Sequence, residues 1–192
     1  MTPTLRLVRR ALLVVGGVFL LVAGGTWAYA GMYQRYQAWK FDHAVATALA
    51  APAPELHDGD VVGRLEVPRI GLSVMVLQGV DEPSLIVGAG HVPGTSLPGG
   101  DGNIAIAAHR DTYFRKLEGI RPGDDIHVET VRGTYEYVVD STEIVDPADT
   151  RPMASRAQPE LTLITCYPFH FVGSAPKRFI VHARPPQGSA EK

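Results

Sequence analysis

The chain has 192 residues and a formal net charge of −2, so it lacks the basic excess that marks a nucleic-acid partner. Its single cysteine excludes an internal disulfide framework and any cysteine-rich zinc site. The length fits one domain with extensions, and partners have to be argued from sites.

The N-terminus carries Arg6, Arg9 and Arg10, and no charged side chain follows from Ala11 to Gly31. A helix of about 20 apolar residues crosses the hydrocarbon core of a bilayer. Trp27 and Tyr29 stand at the far end of this run, where amphipathic rings favour the membrane interface. Arginines ahead of the span hold the start in the cytoplasm and put the rest outside. Residues 1–31 therefore read as a basic start and a single-pass anchor. The rival reading is a cleaved leader, because Ala28-Tyr29-Ala30 has the small-x-small form of a cleavage site, but the apolar run is long for a leader.

Residues 32–57 form the second region. "MYQRYQAWKFDHAVATALA" reads as a helix continuing outward, and the prolines of "APAPELHDGD" make an extended linker. The helix is either a stalk that lifts the domain or a mobile tether.

From there to residue 186 the texture changes to short β-like runs broken by Gly and Pro. "VVGRLEVP" and "IGLSVMVLQG" come first, then "GNIAIAAH", which ends at His109. "DTYFRKLEGI" has Tyr113, Phe114 and Leu117 at helical spacing. Paired alternating strands flank Arg132-Gly133, and "ELTLITC" and "KRFIVHAR" close the series. Strands of this length and spacing predict an all-β barrel or sandwich. Residues 187–192 read as a flexible tail.

Cys166 is the last strand residue of "LTLITC", with Tyr167 and then Pro168 behind it. A proline cannot donate to a ladder, so the strand stops or becomes an edge there. A side chain at a strand end can face a cleft from an anchored backbone, which suits a nucleophile. The competing reading is an inert, buried thiol. A cysteine nucleophile needs a base or a lowered pKa, and donors where the oxyanion develops. Among seven histidines, His109 ends a strand of its own. Arg178 opens the strand after Cys166, and if those two strands pair, the arginine faces the cysteine. Its charge persists at any working pH, so it can hold an oxyanion or a thiolate. His91, in the Gly/Pro-rich "GAGHVPGTSLPGG", is the rival base. Asp111 either orients a histidine or caps the short helix after it, and His170 reads as a loop residue. Glu118, Asp124 and Asp125 read as solvated charges, with no run resembling a calcium loop.

These residues carry a resemblance to the sortases, cysteine transpeptidases of the bacterial cell envelope. "TLITC" fits the TLxTC motif of that family, "RFIVHA" supplies its arginine and "AAHRD" its histidine. The resemblance runs from about Asp60 to Arg184, and "TCYPFHFVGSAPKRFIVHA" and "LEVPRIGLSVMVLQG" look most like class D. Ala108 departs from the glycine that many relatives place before the histidine, which is tolerable unless the backbone needs a positive φ.

The resemblance implies a closed eight-stranded β-barrel with one or two short helices, preceded by the transmembrane helix, and a groove floored by two strands. Cys166 would attack the threonine carbonyl of an LPxTG-like sorting signal, His109 would serve as general acid and base, and Arg178 would hold the oxyanion. Thr165, His91 and Tyr167 are expected to contact substrate, and "ADTRPMASRAQPE" sits where the family keeps a substrate-shaping loop, its prolines suggesting mobility. The partners implied are the sorting-signal peptide of a secreted protein, the bilayer, and an amine of peptidoglycan, its precursor or another protein. Neither a cofactor nor a metal is expected, nor is nucleic acid. Two further classes stand beside this reading: a cysteine peptidase that mainly hydrolyses, and an inactive membrane-tethered binding domain. The intact Cys, His and Arg argue against the second. An L,D-transpeptidase would want a Ser/Thr-His-Gly-x-Cys signature, which "TLITCYP" is not.

Overall fold

The computed structural model describes residues 3–45, 56–154 and 158–186. The tail expected over 187–192 and residues 46–55, with most of the expected Pro/Ala linker, lie outside the described residues.

Eight strands form a closed barrel: β1 (Val61–Val67), β2 (Leu72–Gln78), β3 (Ala89–His91), β4 (Asn103–Ala107), β5 (Asp125–Thr130), β6 (Gly133–Val145), β7 (Glu160–Tyr167) and β8 (Lys177–Arg184). The order around the barrel is β1-β2-β3-β4-β7-β8-β6-β5, with β5 closing on β1. Closure leaves no unpaired edge to manage. The β2–β3 and β4–β7 pairs are parallel, and the other ladders are antiparallel. A parallel pair needs a long crossover. The short helix α2 (Glu82–Val87) supplies part of one, and the β5–β6 hairpin lies within the other. At six residues α2 is too short for a periodic signal in the sequence.

Alternate residues enter one apolar cluster, Ile104 and Ile106 from β4, Leu161 and Leu163 from β7, Val181 and Ala183 from β8, while Ala105, Thr162 and His182 between them are buried on the other face. The expected helix at Tyr113–Gly119 is a 3₁₀ turn. In that geometry side chains three apart eclipse, and Phe114 and Leu117 enter the core together at 0% exposure. Asp111 does not cap this turn. Thr112 occupies the cap position without a side-chain bond, and the Phe114 amide donates instead to the His109 carbonyl at 3.1 Å. Gly63 sits at a register shift on β1, where a Cβ would stand 2.2 Å from the Glu129 carbonyl oxygen, so only glycine allows β5 this close. Among the described residues no non-glycine has a positive φ, so Ala108 is unstrained where relatives carry glycine.

The N-terminal helix α1 (Pro3–Val45) runs without a break through the expected anchor and the helix beyond it. It is the one described helix long and apolar enough to cross a membrane, with a mean hydropathy of 2.1 in its apolar stretch. Its later turns lie against the barrel. The Met75 amide donates to Gln34 Oε1 at 3.0 Å, and the Gln34 amide donates to the Val87 carbonyl. Phe41 is buried beneath the Arg64 guanidinium, 5.7 Å from its ring, and Arg64 also pairs with Asp42 at 2.6 Å and Glu129 at 3.2 Å. The end of the expected linker joins the sheet region too: the Gly59 amide donates to the Gln78 carbonyl and the Gln78 amide to the Asp60 carbonyl, both at 2.8 Å. Asp124 is not a solvated charge. It is buried against the Arg69 guanidinium and accepts the Arg121 amide at 2.8 Å, and the Arg69 hydrogen bonds hold its carboxyl below the usual carboxylate range.

Leu65→Ala should lower stability by about 2–5 kcal/mol, as expected for a fully buried leucine that leaves a cavity. Leu97→Ala, at an exposed position, should stay within about 0.5 kcal/mol of the parent. Denaturant unfolding of the detergent-solubilised chain, followed by near-UV circular dichroism, measures both.

Candidate active site

Three neighbouring strands position the site. β4 runs parallel to β7 with Ala107 beside Ile164, and the Ala108 amide extends the ladder by donating to the Ile164 carbonyl at 3.2 Å. β7 runs antiparallel to β8 with Cys166 directly opposite Arg178. His109 lies two residues beyond Ala107 and Cys166 two beyond Ile164, so both stand at one end of the barrel with Arg178.

Alternation then decides which way each side chain points. Leu161, Leu163 and Thr165 share the inner face of β7, so Ile164 and Cys166 face outward, and Arg178 and Ile180 continue that face on β8. Ala105 and Ala107 are the small outward residues of β4. Cys166 and Arg178 thus lie side by side on the outer face of the sheet, with Ile164 and Ile180 next along that face. Cys166 is free and half-buried. The Arg178 guanidinium donates only to backbone carbonyls, Lys177 at 3.1 Å and Ala175 at 3.5 Å, so among the described residues no carboxylate neutralises it. The Ala108 side chain enters the core, which turns His109 outward. The His109 ring is one-third exposed, with Nε2 3.8 Å from Glu82 Oε1 of α2. His109, Asp111, Thr112 and Tyr113 line one wall of an open cleft of about 750 Å³, whose other wall is α1 from Ala23 to Gly31.

Of the three residues expected to contact substrate, Thr165 and His91 are buried and Tyr167 is half-buried. Thr165 is buried, and its hydroxyl donates to the Ala108 carbonyl at 2.8 Å, tying the cysteine strand to the residue before His109. Tyr167 shares the inward parity and packs with Phe169 and Phe179 at ring separations of 5.9 and 6.3 Å. His91 is not in a loop but on β3, opposite core-facing Ile106, and is 2% exposed. Its Nε2 meets the Ser96 carbonyl and its Nδ1 the Gln78 side-chain oxygen Oε1, both at 2.9 Å. Burial pushes its pKa down, which favours the neutral ring, and its hydrogen bonds brace the β3–β4 connection.

Other supports carried no clear mark in the sequence. Arg110, next to His109, donates to the carbonyls of Pro168 at 3.0 Å, Phe171 at 2.8 Å and Gly173 at 2.9 Å, and so shapes the connection that follows Cys166. His170, expected in a loop, lies there and bridges Arg115 at 2.8 Å and Glu118 at 3.0 Å. Ahead of β7, buried Pro152 accepts Asn103 Nδ2 at 2.8 Å, and the Thr162 hydroxyl donates to Asn103 Oδ1 at 2.9 Å. This pins the first half of the expected mobile loop, while residues 155–157 lie outside the described residues. His182 sits between Glu160 at 2.8 Å and Glu143 at 2.9 Å, on the outward row of β8. Among the described residues no group of three or more His, Cys, Asp or Glu is placed to hold a metal ion.

A sortase-domain family model matches residues 65–186. Sortase D of Bacillus subtilis is 36% identical over 127 residues, 66% of this chain and 64% of that protein. The chain thus spans just under two thirds of that relative's length. The solved Sortase A of Corynebacterium diphtheriae, as a lid mutant, superposes with a TM-score of 0.62 at 29% identity, over 68% of this chain and 72% of that one. A Clostridium perfringens Sortase D5 transpeptidase superposes with a TM-score of 0.67 over 82% of this chain and 98% of that one; at 23% identity this is a likeness of fold.

Thr165→Val leaves the buried Ala108 carbonyl without the hydroxyl it accepts from, and should cost about 1–3 kcal/mol. Thr165→Ser should recover most of that loss. Unfolding of the three chains in parallel checks it, and parent-like stability in the valine variant would show that the tie contributes nothing.

Proposed function

The chain belongs to the sortase family, and on that premise we propose that it is a membrane-anchored cysteine transpeptidase acting on an LPxTG-like sorting signal. The observation that carries this reading is the cross-strand pair of Cys166 and Arg178, with His109 at the same end of the adjacent parallel strand. Each side chain has a role that its position suits. The Cys166 thiolate attacks the threonine carbonyl carbon, and the negative charge that develops on the carbonyl oxygen meets the unneutralised Arg178 guanidinium. The intermediate collapses with rupture of the peptide bond, and imidazolium His109 gives its proton to the departing amine. A thioacyl-enzyme remains. An incoming amine attacks it, His109 takes the amine proton, and the thiolate leaves as the new amide forms. Atoms and protons balance over the cycle, and His109 and Cys166 return to their starting forms.

The similarity to Sortase D of Bacillus subtilis supports class D, and the acceptor is an amine of the cell envelope. The uncharged stretch of α1, with three arginines before it, supports a single pass that leaves the barrel outside.

Cys166→Ala should abolish cleavage and transfer of a fluorogenic sorting-signal peptide while the barrel stays folded. Arg178→Ala should lower kcat by about 10²–10³, the usual effect of removing one oxyanion donor. Arg178→Lys should recover little, because an ammonium does not reproduce the planar fork. Near-full kcat in the alanine variant would remove Arg178 from the site. Protease added to intact spheroplasts should digest the barrel, and protection of the whole chain would reverse the topology.

A further inference from the structure

The two ends of the barrel differ in their relation to α1. At one end, Ala23 to Gly31 face His109, Tyr113, Glu82 and Ile86 across the cleft. At the other, Phe41 lines a smaller cleft with Leu56 and Val131, beside the β5–β6 turn. From Trp27 to Phe41 the helix rises about 21 Å at 1.5 Å per residue. The barrel therefore stands along α1 with the His109 rim beside the last turns of the uncharged stretch, and the β5–β6 turn far from them.

That rim also carries exposed apolar side chains. Val172 is 98% exposed and Phe171 45%, at the tip of the connection between β7 and β8. The tip is built rather than loose: Arg110 holds the Phe171 and Gly173 carbonyls at 2.8 and 2.9 Å, and its guanidinium lies 5.8 Å from the Phe171 ring. Ile86, on the same rim, is 38% exposed, and Trp27 on α1 is 82% exposed. Exposed aromatic and aliphatic side chains at the barrel end that stands beside the end of an apolar span suit the interfacial zone of a bilayer. Glu82, Asp111 and Lys177, also at this end, suit headgroup depth and oppose deeper entry.

We propose that the His109 rim rests on the membrane leaflet from which α1 emerges, with Phe171 and Val172 inserted at headgroup level beside Trp27. This rests on the reading of α1 as a membrane span. The end of the barrel that carries His109, Cys166 and Arg178 then stands at the bilayer surface.

Site-specific depth measurement tests the placement without recourse to activity. Cys166→Ala removes the native thiol, and one cysteine is introduced by Val172→Cys, Arg132→Cys or Leu20→Cys in the full chain. Each is labelled with an environment-sensitive fluorophore and inserted into phosphatidylcholine–phosphatidylglycerol vesicles with or without nitroxide lipids. The labels at 20 and 172 should emit blue-shifted relative to 132 and lose intensity to the nitroxides, while 132 should not. A label at 172 that behaves like 132, with 20 still quenched, would overturn the proposal while leaving the anchor intact. Equal quenching at 132 and 172 would also overturn it, since the barrel would then lie on its side. A label at 20 that is not quenched would remove the anchor reading and the proposal with it.

Discussion

Five consecutive Cα partnerships, from Asn103 with Glu160 to Ala107 with Ile164, set β4 beside β7, and seven more set β7 against β8. Everything chemical about this protein hangs on that register. Side chains alternate faces along a strand, so a slip of one residue on β7 would send Cys166 into the core and turn Leu163 and Thr165 out of it. The apolar alternation resists such a slip, because Leu161, Leu163, Val181 and Ala183 are all buried. Burying one such leucine stabilises by roughly 1.5–3 kcal/mol, and a slip would forfeit several at once. Closure of the barrel adds a second constraint, since no strand can slide without breaking ladders on both sides.

Polar ties then specify what apolar burial leaves loose. Asn103, Thr162 and the Pro152 carbonyl join β4, β7 and the connection before β7 in one buried group. Thr165 joins β7 to the chain just before His109. Each such bond is worth about 1 kcal/mol net, so these ties are not the main source of stability. Their weight lies in the cost of leaving any buried partner unmade, which penalises neighbouring arrangements of the same backbone. His182, between two glutamates on the outward row, links β8 to both of its neighbours in the same way.

The connections around the site depend on the same frame. Arg110 follows His109 directly and holds three carbonyls of the segment after Cys166, so the chain that positions the histidine also shapes the cysteine's surroundings. The ring cluster of Tyr167, Phe169 and Phe179 packs beneath that segment and covers the end of the core. α1 is joined to this unit by Gln34, Phe41 and Asp42, which fixes where an apolar span stands relative to the barrel.

Much of this was legible from residue pattern. Period-two alternation marked most strands, the uncharged run marked the apolar helix, and Cys166, His109 and Arg178 stood out as reactive side chains at strand ends. These are local properties, set by the chain within a few residues. What the pattern could not carry was partnership between distant segments. His91 looked available because its short strand is masked by Gly and Pro, and only the fold shows it buried against Ser96 and Gln78. Thr165 and Tyr167 sit beside the cysteine in sequence, yet parity turns both toward the core, where Thr165 bonds the Ala108 carbonyl and Tyr167 packs on Phe179. Asp124 met Arg69 across 55 residues, and Arg110 met Gly173 across 63, separations at which no periodicity survives. The sequence by itself determined which side chains could do chemistry and which segments would be strands. Tertiary structure decided which of them meet, because strand order and register are settled by packing of the whole barrel rather than by any one segment.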